Sequence, residues 1–178
     1  MSGWLIMRAR VSICLAVIAL IAAVTTGAGA MAVESPKTLA TSAGKPVTLG
    51  AGPVTVTLAP ERTGPLSVSR ERKVYLVVKG LGTNEQPEVT YQLYLGLPPG
   101  TAPNPNGPHY VGSVNFFNAR TPGMPSDPRF FSFDVTNLLR LTESSKSLGD
   151  RPVVTVVPGG KPRDTARPTI GEIALVEQ

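Results

Sequence analysis

Past residue 45 the chain is a succession of short runs in which apolar and polar positions alternate, broken by segments rich in proline and glycine. Val54-Thr55-Val56-Thr57-Leu58 alternates strictly, the pattern of a strand with one buried face. Lys73–Lys79 (KVYLVVK) is nearly continuous in apolar residues and predicts a more central strand. Val89–Leu97 has the clearest period of two. Val89, Tyr91, Leu93, Leu95 and Leu97 share one face, with Thr90, Gln92, Tyr94 and Gly96 opposite. Further strands are predicted at Val111–Phe117, Phe130–Val135, Val153–Val157 and Thr169–Val176. Phe131, Phe133 and Val135 face inward in one of these, Ile173 and Leu175 in the last. Thr136 or Asn137 caps one short helix through Leu138, Leu139 and Leu141. Strong β-formers bounded by turn residues at this spacing predict an all-β fold, an antiparallel, jelly-roll-like β-sandwich with one short helix.

The breaks between these runs are themselves informative. Pro98–Pro108 (PPGTAPNPNGP), Thr121–Arg129 (TPGMPSDPR) and Gly159–Pro168 (GGKPRDTARP) are long loops whose prolines restrict their conformations. A further loop is expected at Ser144–Gly149. Long loops on a rigid scaffold are common seats of function. No internal repeat is present. Residues 46–178 are expected to form a single sandwich domain, with residues 31–45 an irregular leader.

The N-terminus differs in character from all of this. Arg8 and Arg10 precede the apolar run Val11–Val24, and Ala28-Gly29-Ala30 supplies a small-x-small cleavage site. That order is the signature of a secretory signal peptide over residues 1–30, with Ala32 the alternative cleavage point. The run is short for a membrane span, which needs roughly 20 apolar residues, so an uncleaved anchor is the lesser alternative. A secreted or periplasmic product follows. About 150 residues remain after cleavage, enough for one domain with its own core.

Export changes the inventory of reactive groups. Cys14 and Trp4 both lie in the signal, so the mature chain has neither disulfides nor thiolate chemistry to draw on. Loss of Arg8 and Arg10 lowers the formal charge from +5 to +3. The remaining basic residues are scattered and not interleaved with aromatics, which argues against a nucleic-acid surface. A single histidine, His109, cannot build the usual zinc or copper sites, and no Gly-x-Ser-x-Gly elbow accompanies it. As a lone residue at a loop end it reads as a structural hydrogen-bonder. Asp134 is the one carboxylate set in an apolar strand, and its expected role is to bond loop or helix N–H groups. No catalytic, metal or cofactor site is assigned. The candidate interaction surface comprises His109, Tyr110, Tyr94, Met124 and Asp134.

The order of strands resembles a known family. KVYLVVKGL from Lys73, VTYQLYLGLP from Val89 and YVGSVNFF from Tyr110 form its first part. FSFDVTNLL from Phe131, VVTVVP from Val153 and PTIGEIAL from Pro168 complete it. Together they resemble the C-terminal β-sandwich domain of bacterial tyrosinases and plant polyphenol oxidases, over roughly Arg70–Glu177. The Gly112-Ser113 step and the closing Ile-Gly-Glu-Ile are its most specific marks. In that family the sandwich lies over the mouth of a copper site built by six histidines on a helical bundle. The resemblance therefore implies an accessory that shields, stabilises or matures a copper oxidase core supplied in trans, and not an oxidase. No shielding residue is transferable, and the three Pro-rich loops stand as candidates.

A second resemblance leads elsewhere. Phe133-Asp134-Val135-Thr136-Asn137-Leu138-Leu139 is similar to a strand-to-helix step of jelly-roll sugar-binding domains. It implies a carbohydrate or cell-envelope ligand, stacked on Tyr91, Tyr94, Tyr110 or Phe117. Aromatic residues on such strands are more often core than platform.

Overall fold

The computed structural model describes residues 35–42, 44, 46–63, 66, 68–117, 119, 130–144 and 151–178. The expected signal peptide, with Cys14 and Trp4, lies outside them, as do the whole Thr121–Arg129 loop with Met124 and the 145–150 segment. From residue 35 onward the described residues form one compact unit.

The elements in chain order are β1 (Lys37–Thr41), β2 (Val47–Thr48), β3 (Val54–Thr57), β4 (Ala59–Pro60), β5 (Val74–Gly82) and β6 (Tyr91–Leu95). After them come β7 (Tyr110–Val114), β8 (Phe130–Asp134), α1 (Thr136–Ser144), β9 (Val153–Pro158) and β10 (Thr169–Glu177). One sheet has the order β4-β1-β10-β5-β8, with β2 also on β10, and the other the order β3-β9-β6-β7. Every pairing is antiparallel. The expected all-β sandwich is what forms.

The two sheets face one another because each carries an apolar side that water cannot cover. Val74, Leu76, Val78 and Leu81 of β5 meet Tyr91, Leu93 and Leu95 of β6 and Val154 and Val156 of β9 in one buried cluster. Ile170, Ile173 and Leu175 of β10 complete its centre. Each such side chain contributes about 1.5–3 kcal/mol on full burial. Tyr91 packs edge-on against Phe116, ring centroids 5.5 Å apart. Its hydroxyl is buried without a hydrogen-bond partner, and burial pushes its pKa above the ordinary tyrosine value.

Two glycine features shape the sheets. Val78 and Ile173 are paired and buried, whereas Lys79 and Glu172, the next pair, reach outward to each other at 4.0 Å. Strict alternation would then put Leu81 and Ile170 outside, yet both are buried. Gly80 at φ +66° lets the ladder turn over between them. A Cβ on the facing Gly171 would lie 3.3 Å from the Gly80 carbonyl oxygen, a tight approach that glycine relieves. This explains the Ile-Gly-Glu-Ile mark. Gly112 of β7 sits beneath the Phe133 ring of β8, where a Cβ would come within 2.5 Å of the ring. That contact brings the edge strands of the two sheets together.

The lower end of β10 is closed electrostatically. Glu177 is 4% exposed and accepts the Ser69 N–H at 2.9 Å. Arg72 at 3.8 Å and Lys37 at 3.9 Å supply the opposite charge that a buried carboxylate requires. Arg140 of α1 donates to the Arg70 carbonyl at 2.7 Å, so the helix is tied to the same segment.

The leader expectation is corrected here. Lys37–Thr41 lies within residues 31–45 but is a full strand between β4 and β10, with Leu39 and Ala40 buried. Its small and mixed residues give no periodic signal. A bulge between Thr38 and Ala40 also shifts its register on β10. The strand exists because β10 offers it a partner.

Two measurements test the packing. Gly112→Ala should cost about 1–3 kcal/mol through overpacking against Phe133, seen as a lower urea midpoint. An unchanged midpoint would count against that contact. Tyr91→Phe should leave stability unchanged or raise it by about 1 kcal/mol, since it removes an unsatisfied buried hydroxyl. A clear loss would mean that the hydroxyl has a partner.

Candidate functional site

Strand directions divide the loops between two ends of the sandwich. The end of β6, the start of β7, the end of β8 and the start of β9 lie at one, together with α1. The connections 83–90 and 159–168 lie at the other, where β5 and β9 finish and β6 and β10 begin. Pro98–Pro108 and Gly159–Pro168 are thus at opposite ends, and no single face includes both.

At the helix end, three of the expected residues come together. Leu95 N–H donates to the His109 carbonyl at 2.9 Å, and the His109 ring Nδ1 lies 3.0 Å from the Leu95 carbonyl oxygen. Since a carbonyl only accepts, Nδ1 is the donor in this contact. His109 is thereby the hydrogen-bonder that closes the Pro-rich loop onto β6. Next to it, Tyr94 and Tyr110 meet edge to face, centroids 5.6 Å apart. Tyr94 is on the face away from the main core, as its parity requires, yet it is 0% exposed. Tyr110 and Thr155 flank it across the ladder, and its hydroxyl donates to Gln92 Oε1 at 2.7 Å. Burial, and then the neighbouring Tyr110 phenol, hold the Tyr94 pKa above its ordinary value. Tyr94 is accordingly no open platform for a sugar, and its place in an interaction surface is corrected on that ground.

Asp134 stands apart from this group, on β8 of the other sheet. Its Oδ1 accepts the Thr136 N–H at 3.0 Å and the Thr136 hydroxyl at 2.6 Å. The same hydroxyl oxygen accepts the Val74 N–H at 2.9 Å. Asp134 therefore ties the start of α1 to β5 and β8. The Thr136 hydroxyl, its N–H and then Lys73 at 3.5 Å lower the Asp134 pKa below the usual carboxylate value.

The opposite end is held by bonds that no local pattern announces. Thr83, 4% exposed, donates its hydroxyl to the carbonyls of Ala166, at 2.9 Å, and Glu85. Asn84 N–H also reaches the Ala166 carbonyl at 2.8 Å, and Gly159 N–H the Thr90 carbonyl at 2.8 Å. Arg163 pairs with Glu88 at 2.6 Å. Glu88 (φ +60°) and Arg167 (φ +44°) both occupy the left-handed region that non-glycine residues seldom enter. The exposed rings of Phe117 and Phe130 lie at this end too.

None of these arrangements gathers metal ligands. Among the described residues no group of three or more His, Cys, Asp or Glu side chains is placed to hold a metal ion, and the whole chain has one histidine. The copper pair of the resembled oxidases has no ligand set here. No described helix is long and apolar enough to cross a membrane.

Comparison with solved structures bears on the fold. The chain matches latent apple tyrosinase with a TM-score of 0.50 and 18% identity, over 73% of its own length and 26% of that chain. The sandwich is of the kind found in latent polyphenol oxidases. Recombinant latent aurone synthase, a polyphenol oxidase, aligns at a TM-score of 0.49 with 20% identity, over 74% of this chain and 25% of its own. The chain thus spans about a quarter of the length of these enzymes, in keeping with a resemblance to their C-terminal sandwich. No protein-family model matches the chain, and no curated protein does. At such identities the likeness is one of fold.

Acid titration tests the Asp134 assignment. Its native pKa lies below the unfolded one, so its contribution is fully present above about pH 4 and fades as pH falls through the lower native value. Solvent screening of a carboxylate that is 44% exposed keeps the effect small. Asp134→Asn should flatten the acid side of the stability profile and leave the neutral-to-alkaline side parallel to wild type. An identical acid slope in both proteins would remove the assignment.

Proposed function

We propose that this chain is an exported, non-catalytic accessory domain that binds a copper oxidase core made as a separate polypeptide and shields, stabilises or helps mature it. The observation that carries this reading is the fold shared with latent apple tyrosinase over 73% of the chain, confined to 26% of that enzyme. Two further features support it. The chain has one histidine, against the six ligands that the resembled copper core requires. The connections 83–90 and 159–168 are cross-bonded to each other, a preorganised surface that loses little conformational freedom on binding a partner. The apolar N-terminal run with its small-x-small site supports export.

Pro98–Pro108 and Gly159–Pro168 lie at opposite ends, so a core gripped by one of these loops would not be gripped by the other. Of the aromatic faces that the carbohydrate alternative would use, Tyr91 and Tyr94 are buried and Phe117 is exposed.

The mature protein, mixed with a tyrosinase-type core lacking its own sandwich, should co-elute as a stoichiometric complex and alter the core's oxygen uptake. Absence of a complex together with unchanged oxygen uptake would overturn the proposal. N-terminal sequencing of the exported form should start at Met31 or Val33, and retention of residues 1–30 would contradict export by cleavage.

A further inference from the structure

The Pro98–Pro108 loop contains the only Asn-Gly step in the chain, Asn106-Gly107. We propose that Asn106 is a site of spontaneous deamidation, held in check by the turn that Asn104 and Pro105 build around it. The inference stands independently of the accessory role.

Asn-Gly steps react because glycine has no side chain to hinder its backbone nitrogen. That nitrogen attacks the asparagine carboxamide carbon, a C–N bond forms, and ammonia leaves carrying the amide proton. Water then opens the resulting succinimide at either carbonyl, giving aspartate or isoaspartate. Asn106 is exposed, so water and base reach it freely.

The fold opposes the first step. Gly107 N–H donates to the Asn104 carbonyl at 2.9 Å, closing a turn over Asn104-Pro105-Asn106-Gly107. Asn106 N–H donates to Asn104 Oδ1, also at 2.9 Å. Pro105 fixes φ at the second position, and Asn106 is not among the described residues with positive φ, which makes the turn type I. In that turn the Gly107 nitrogen is engaged as a donor. Ring closure requires a large rotation about the Asn106 Cα–C bond that breaks the Gly107–Asn104 bond. Reaction therefore waits on local opening of the turn.

Conversion has structural consequences for its neighbours. The Gly107 carbonyl accepts the Tyr110 N–H at 3.2 Å. Isoaspartate adds a backbone methylene just before Gly107 and shifts that acceptor. Either product also places a carboxylate on the loop that ends in His109.

The test incubates the purified mature protein at mildly alkaline pH, follows the mass gain of amide-to-acid exchange, and maps isoaspartate by peptide analysis. Native protein should convert at Asn106 more slowly than the same chain in denaturant. Asn104→Ala, which removes one ordinary hydrogen bond, should raise the native rate about fivefold. Asn104→Ala combined with Pro105→Gly should approach the rate in denaturant. Asn106→Gln should abolish the mass gain at this position, and circular dichroism should show that every variant keeps its β-content. Equal rates for native and denatured wild type, or no acceleration in the folded turn variants, would overturn the proposal.

Discussion

The antiparallel ladder between β5 and β10 is the interaction on which the remaining structure depends. It runs from the Gly82–Thr169 pair to the Val74–Glu177 pair, and both strands lie inside their sheet. On one side it carries β8, on the other β1 and β2. Its inward side chains form the floor of the core against β6 and β9. At one end its strands lead directly into the cross-bonded connections 83–90 and 159–168, and at the other Glu177 gathers Lys37, Arg72 and the Ser69 amide. The mature chain expected from the sequence has no cysteine to reinforce it. Cohesion therefore comes from apolar burial and backbone pairing along this ladder.

The ladder also governs what the loops can present. Gly80 and Gly171 turn both strands over together, keeping Leu81 and Ile170 in the core beyond the switch. Thr83, immediately after β5, is therefore positioned to bond the Ala166 carbonyl. The left-handed backbone at Glu88 and Arg167 is sustained by this web of long-range bonds. The helix end is organised differently. There a proline-rich loop is folded down by the His109 bonds to Leu95, and its Asn104–Gly107 turn is exposed. A covering role of the kind proposed would draw on the stiffness of one end or the adaptability of the other.

Much of the scaffold was legible in the sequence because the signal is local. The alternation in Tyr91, Leu93 and Leu95, the inward Phe131, Phe133 and Val135, and the short helix opening at Thr136 each follow from spacing within a few residues. The same holds for Asp134, whose partner Thr136 is two positions away. What escaped detection depends on distant partners. The strand Lys37–Thr41 is specified by β10 near the other terminus of the chain. Glu88 and Arg163 look like ordinary solvated charges until the fold joins their loops. Tyr94 alternates to the outer face, as read, but its burial depends on Tyr110 arriving from β7.

By itself, the sequence determined the fold class, the main strands and the shortage of metal-ligating side chains, since periodicity and residue chemistry suffice for these. Tertiary structure alone decided the pairing order, the separation of the proline-rich loops onto two ends, and the turnover of the central strands at Gly80 and Gly171. It also decided which polar residues are structural. Those outcomes arise from backbone partners and close approaches between segments far apart in the chain, and a period of two carries no information about which strand will lie alongside.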